Sequence, residues 1–340
     1  MGRIRAYSFS MDDASPPDRP PDLRVIVSLD VEEEGLFTGS YPATDCGVKN
    51  VVLLRRLAPL SLELGFPLTL FCAHSVFCDA TACATLEFMR DRCGAEIAAH
   101  LHHWSTPPLD APAPSGPPER TDRLPPDTLR RKLDALLKAG EHFQSAPLTS
   151  FRMGRWDLKS NLHPLLAAMG IRVDSSVCPL RAFRGGPDHF LAPADPYWTG
   201  ASPPLLELPL TQIPLIPSLA GFWHRLNRRF PGILDTFHYW NAASANPVWH
   251  GQGIMRHAVK EHVRRGGKVL TLFWHSSEMM PGGSPHVPDQ AAADALLRKT
   301  GDFLSWLGSN YNVQGITAAG LLSIAPQLHF PVRPEGPGDW

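Results

Sequence analysis

What most constrains this chain is a repeated switch between short apolar runs and longer segments of helical length. Leu23–Asp30 (LRVIVSLD), Pro67–Ala73 (PLTLFCA) and Lys268–His275 (KVLTLFWH) are largely apolar runs of strand length, and Ala95–His100, Leu148–Arg152, Ile171–Asp174 and Val313–Ile316 read as further strands. Strands covered by helices on both sides of a parallel sheet read this way. Between them lie helical segments near 48–64, 79–92, 127–143, 160–169, 251–265 and 289–308, and Thr317 opens a short final one. Gly65 and Gly170 are expected to end helices, and Asp127 to cap the helix whose Leu129, Leu133, Leu136, Leu137 and Gly140 trace one face. Strict strand and helix alternation predicts parallel β/α units. Residues 178–250 break the pattern with many prolines and aromatics, and read as inserted loops and short strands that cap a substrate site.

Several of the apolar runs end in chemistry. In Gly94–Pro108 (GAEIAAHLHHWSTPP), a strand delivers His100, His102 and His103 into a turn. Side chains alternate along a strand, so His100 and His102 share a face and His103 points away. Asp30 and Glu32 are likewise two apart at the end of the first strand. One carboxylate and two imidazoles make a three-ligand site of the catalytic zinc kind, with the second carboxylate left as a base. The competing reading is a pair of hydrogen-bonded histidines beside an acidic loop, and Glu33 and Glu34 are read as solvated members of that loop. Polar residues at strand carboxyl ends place the site at the rim of a barrel, with a doubly wound open sheet as the structural rival. No glycine-rich phosphate loop follows the first strand, so no nucleotide cofactor is expected.

Composition narrows the partners. Lys plus Arg (32) nearly balances Asp plus Glu (33), so no net field draws in nucleic acid or an anionic membrane. No run of about 20 apolar residues is present to span a membrane. The six cysteines form no CxxC pair, which fits reduced thiols and a cytosolic setting. Residues 1–22 read as a polar, proline-rich lead without the apolar core of a secretory signal, and 326–340 as a proline-rich tail. The main body is expected over 23–325.

Five motifs in order carry a family resemblance. Ser28-Leu29-Asp30-Val31-Glu32, His100-Leu101-His102-His103-Trp104, Phe151-Arg152-Met153-Gly154-Arg155-Trp156, Asp174-Ser175-Ser176-Val177 and Lys268–Glu278 resemble the polysaccharide deacetylases (carbohydrate esterase family four, the NodB-homology domain). Gly315–Leu322 is similar to that family's closing segment. The set is closest to the branch whose first motif reads DVE and whose members are attached to lipopolysaccharide and O-antigen biosynthesis. The resemblance implies an α/β fold, a distorted (β/α)7 barrel of the polysaccharide deacetylase type with long inserted loops. It also implies a metal-dependent hydrolase that removes an acetyl group from an N-acetylated sugar.

On that resemblance the metal, Zn²⁺ first among divalent ions, falls to Glu32, His100 and His102. Val31 stands where the family's metal aspartate would be, and Trp104 where the second histidine of HxxxH would be, so Glu32 and His102 supply those ligands here. Asp30 is then the general base, Arg152 its orienting cation, His275 the general acid, and Asp174 the partner that orients His275. Trp104, Trp156 and Glu278 are candidate substrate contacts. The expected substrate is a sugar-linked small molecule, a precursor of surface polysaccharide, and an oligomer is compatible with the chain. Two alternatives stay open: a metal-independent amide or cyclic-amide hydrolase on the same barrel, and a catalytically inactive barrel that binds glycan. A glycosidase using Asp30 and Glu32 would leave the histidines and Arg152 unexplained.

Overall fold

The computed structural model describes residues 23–109, 118–183, 185–230 and 236–333. Its strands are β1 (Leu23–Val31), β2 (Leu68–Cys72), β3 (Glu96–Leu101), β4 (Ser150–Met153), β5 (Val173–Asp174) and β6 (Tyr197–Thr199). They continue with β7 (Leu206–Glu207), β8 (Gln212–Pro214), β9 (Ala242–Ser244), β10 (Val269–His275), β11 (Val313–Gly315) and β12 (Val332–Arg333). The main sheet runs β10-β1-β2-β3-β4-β5-β7, each strand parallel to its neighbour, and ends in β6, antiparallel to β7, and β12. β11 pairs with β1 over Leu23–Val25, just below the stretch Val27–Val31 that β2 takes. The gap between β7 and β10 is bridged at Thr211, whose N–H donates to Thr271 O (3.2 Å) and whose Oγ1 accepts from Thr271 N–H (2.8 Å). The sheet is thus a distorted barrel of the type expected.

Strand parity sorts the residues. Val25, Val27, Leu29 and Val31 of β1 lie in the large apolar cluster that also holds Leu86, Leu133 and Leu304 from surrounding helices. Ile26 belongs to a second, interior cluster with Val173, Leu206, Leu208 and Val269, packed on Ala318, Leu321 and Ala325. The helix Ala318–Leu328 therefore closes the lower end of the barrel. Its first N–H groups are held from inside, Ala318 N by Thr69 Oγ1 (3.0 Å) and Ala319 N by Glu96 Oε2 (2.9 Å). Above this plug the interior face turns polar: Ser28, Asp30, His100, Arg152 and His275.

Several local expectations hold and several change. Thr317 caps its helix through a side-chain acceptor, and Gly65 and Gly170 adopt the left-handed conformation just past their helices, as expected. Asp79 and Asp289 cap two further helices, and Gly94 ends Ala80–Cys93, without having been singled out in the sequence. Asp127 is not a cap. Pro125 sits at that position and Asp127 lies in the first turn of Pro126–Gln144, where its charge complements the helix dipole. The segment near 48–64 is mostly a 3-10 turn, Lys49–Leu57, with a short α-helix Ala58–Leu62. Within 178–250, Leu206–Glu207 is a strand of the main sheet, hidden in the sequence by Pro203, Pro204 and Pro209. The expected lead over 1–22 and the last residues of the tail, 334–340, lie outside the described residues.

Candidate active site

Parallel pairing brings the site's residues to one level of the barrel. Asp30 is the register partner of His275 across β1 and β10, and His100 that of Arg152 across β3 and β4. Arg152 is fully buried. Its Nη1 donates to Asp30 Oδ1 (2.6 Å), its Nη2 to Ser28 Oγ (2.9 Å) and Ser175 Oγ (3.0 Å), and its Nε to Ser175 O (3.0 Å). The guanidinium also lies 4.1 Å from the centre of the Phe71 ring. So many fixed partners leave one orientation for Arg152 and hence for Asp30.

Glu32 continues the parity of Asp30 one residue past the strand. Its Oε2 is 3.5 Å from His100 Nε2 and 3.3 Å from His102 Nε2. Tetrahedral zinc with ligand bonds of about 2.0–2.2 Å places adjacent donor atoms about 3.3–3.5 Å apart. The three residues therefore meet at ion-binding spacing. Both imidazoles are set from behind. His100 Nδ1 lies 3.0 Å from Arg152 O, and donating a proton there leaves a lone pair on Nε2. His100 Nε2 itself is buried with no hydrogen-bond partner. His102 Nδ1 faces Glu33 Oε2 at 2.5 Å. A buried imidazole nitrogen without a proton partner, facing a carboxylate and a second imidazole, fits a divalent ion.

Glu33 is the largest departure from the sequence reading. It is fully buried rather than solvated, and its Oε1 accepts from Ser75 Oγ (2.8 Å) and Ser105 Oγ (2.7 Å). Burial alone would raise its pKa, but the facing His102 brings it down to about 2. Burial likewise opposes the charged form of His102, yet Glu33 and Glu32 together raise that pKa to about 10. Glu32 is held well below the usual carboxylate range, burial being outweighed by His275, His100 and His102. A proton on His102 Nε2 occupies the position an ion would take, so the two compete there. Glu34 is half-buried and accepts from Asn50 N (2.8 Å).

His275 stands opposite. Its Nε2 is 3.9 Å from Asp30 Oδ2, as is His100 Nε2. Its orienting partner is Glu278, not Asp174: Glu278 Oε2 lies 3.0 Å from His275 Nδ1 and also accepts the His275 backbone N–H at 3.0 Å. The 3-10 turn Ser276–Met279 folds Glu278 back over the strand end. Burial would lower the His275 pKa, but Glu32, Glu278 and Asp30 raise it to about 9. Asp174 is placed elsewhere. It pairs in register with Phe151 and Glu207 on the outward face, where its neighbour is His163. In β5 the odd-numbered positions face inward, so Ser175, rather than Asp174, reaches Arg152.

The mouth is aromatic. Asp30, Glu32, Phe37, Tyr41, His102, Trp104, Arg155, Trp156 and His275 line a cavity of about 200 Å³. Trp104 stacks on His102 with ring centres 4.2 Å apart, so it backs a ligand position instead of filling one. Arg155 and Trp156 both adopt left-handed backbone (φ 59° and 50°), which turns the chain sharply after β4 at some energetic cost. The indole N–H groups of Trp104 and Trp156 are buried without a hydrogen-bond partner among the described residues. His103 points away, as its parity requires, toward Glu119 O (2.9 Å). A larger depression of about 660 Å³ lies behind Ser75 and Ser105, but the three-ligand cluster opens to the smaller cavity.

No protein-family profile and no curated protein matches the chain. Solved structures do. A Mycobacterium smegmatis protein named as a polysaccharide deacetylase superposes with a TM-score of 0.60 at 18% identity, over 96% of this chain and 98% of that one. PuuE allantoinase matches with a TM-score of 0.52 at 13% identity, over 94% and 95%. A Pseudomonas aeruginosa PAO1 protein named as a polysaccharide deacetylase matches with a TM-score of 0.51 at 13% identity, over 91% and 92%. At these identities the likeness is one of fold.

Proposed function

We propose that this protein is a metal-dependent hydrolase that removes an N-acetyl or similar N-acyl group from a sugar, within a precursor of surface polysaccharide. One observation carries the reading: three ligand atoms at ion spacing lie between a carboxylate fixed by a buried arginine and an imidazole fixed by a buried glutamate. The resemblance of the five motifs and the deacetylase-type barrel support it. Glu32, His100 and His102 would hold the ion, with zinc the first candidate. When bound, such an ion polarises an amide carbonyl and lowers the pKa of water towards ~7.

The chain's own residues supply the rest. Arg152 occupies Asp30 Oδ1, which leaves Oδ2 facing the centre to take the proton of the attacking water. The water oxygen adds to the acyl carbon, the C–N bond breaks, and the leaving amine takes the proton that His275 holds at Nε2. A histidine with its pKa near 9 is protonated at neutral pH, as a general acid must be. Acetate and a free amino sugar leave. The unsatisfied indole donors of Trp104 and Trp156 at the edge of the cavity suit sugar hydroxyls. Cavity size favours one sugar unit at the acyl end. Among the described residues no helix is long and apolar enough to cross a membrane; a cytosolic setting, with a nucleotide-linked or lipid-linked sugar, is part of the proposal.

The test is metal content together with acetate release. Wild type loaded with Zn²⁺, Co²⁺ or Mn²⁺ is expected to release acetate from N-acetylated sugars. Glu32→Ala and His100→Ala should lose that activity along with the ion at this centre. Asp30→Asn should keep the ion and lose kcat by roughly 10²–10⁴-fold. Activity that survives chelation would instead select the metal-independent amide hydrolase.

A further inference from the structure

A second set of ligand-type side chains lies outside the barrel, away from the centre described above. His163 begins the helix His163–Ala168, Asp174 is in β5 and Glu207 in β7, and all three are buried. His163 Nε2 is 3.5 Å from Asp174 Oδ2 and 4.0 Å from Glu207 Oε2. The other oxygen of each carboxylate is already engaged. Asp174 Oδ1 accepts from Ser176 Oγ (2.5 Å) and Glu207 Oε1 from Val177 N (3.1 Å). Asp174 Oδ2 and Glu207 Oε2, by contrast, are fully buried, have no hydrogen-bond partner, and face the same imidazole nitrogen.

Two carboxylate oxygens removed from water, left without donors and facing one imidazole nitrogen are costly unless a proton or a metal cation sits between them. The 3.5 Å spacing of Asp174 to the imidazole matches the edge of a zinc-sized coordination shell, about 3.3–3.5 Å, and the 4.0 Å spacing of Glu207 exceeds it by about half an ångström. The geometry points to a second, structural divalent-cation site formed by His163, Asp174 and Glu207. Imidazole with two carboxylates suits zinc or manganese. An ion here ties β5, β7 and an outer helix together at the base of Ser175–Val177. That stretch carries Ser175, whose carbonyl and hydroxyl hold Arg152. The site thus stiffens the support of the positioning arginine, Arg152, without touching substrate.

The assignment is independent of the proposed activity, and metal counting separates the two. Each protein is loaded with Zn²⁺ or Co²⁺, freed of excess ion, and measured for bound metal per chain. Wild type is expected to hold two ions, Glu32→Ala one, Glu207→Gln one, and the double variant none. Glu207→Gln keeps the side-chain shape and removes a buried like charge, so it should fold; His163→Gln serves as an independent second variant. In the Glu32→Ala background, Co²⁺ should raise the unfolding midpoint by several degrees, and His163→Gln should abolish that rise. One ion retained in Glu32→Ala and lost in Glu207→Gln would support this site while overturning the other. One ion lost in Glu32→Ala and kept in Glu207→Gln overturns this inference and leaves the proposed function standing. No ion in Glu32→Ala after loading with either metal means that the carboxylate pair shares a proton instead.

Discussion

At the scale of single residues, the site depends on pairs of carboxylates and basic groups in which one member fixes the other. Arg152 fixes Asp30, Glu33 fixes His102, and Glu278 fixes His275. Glu278 offers the sharpest test, because its charge is one of the things that raises the His275 pKa to about 9. Glu278→Gln keeps the shape and removes the charge, so His275 should lose its proton at lower pH. If His275 is the general acid, the alkaline limb of kcat/KM should move down by roughly one pH unit, with little change on the acid side. A limb that stays in place would exclude the role. The sequence already put Asp30, Glu32, His100 and His102 on common faces through period-two parity. It misplaced Glu33, because a run of three acids just past the end of β1 reads as a solvated loop and Glu33's partner, His102, is far along the chain.

At the scale of elements, the turn after β4 is what lets two strands share the site. Gly154 approaches β3 so closely that a Cβ there would sit 2.5 Å from His102 Cδ2 and 2.7 Å from Leu101 O. Either His102 and β3 or the turn after β4 must shift to relieve those contacts. Gly154→Ala is therefore expected to cost about 1–3 kcal/mol in denaturant unfolding and to weaken metal binding at Glu32, His100 and His102. Isothermal titration with Zn²⁺ would show it, and unchanged affinity would mean that the loop, not His102, gives way. Gly154 and Arg152 were visible in one motif, but only the register of β4 on β3 shows why the glycine matters. Asp174 teaches the reverse: it looked like a site residue at a strand's end, yet the pairing of β5 with β4 and β7 turns it outward.

At the scale of the whole molecule, buried neutral histidines link stability to pH. His189 is buried and its Nδ1 accepts the Cys178 N–H at 3.2 Å. Burial, above all, lowers its pKa from 6.5 to about 4. Unfolded chain takes up the proton below pH 6.5 and folded protein does so only near 4, so the unfolded state binds more protons across that window. Stability attributable to His189 is complete above about pH 6.5 and falls as pH drops towards 4, by on the order of 3 kcal/mol. Urea unfolding at stepwise pH should show that slope, and His189→Gln should flatten it. An equal slope in the variant would assign the loss to other groups, His103 first among them.

The sequence by itself determined the parallel β/α architecture, the shared faces of Asp30 with Glu32 and of His100 with His102, and the cap at Thr317, because each rests on periodicity or contacts within a few residues. Tertiary structure alone decided that Leu206–Glu207 joins the main sheet, that Thr211 bridges its open side, that Glu33 and Glu278 orient the two histidines, and that Asp174 meets His163 and Glu207 behind the barrel. Most of these depend on which strands become neighbours and in what register. That choice is set by burying the whole apolar surface at once, and it leaves no local trace in the residues it brings together.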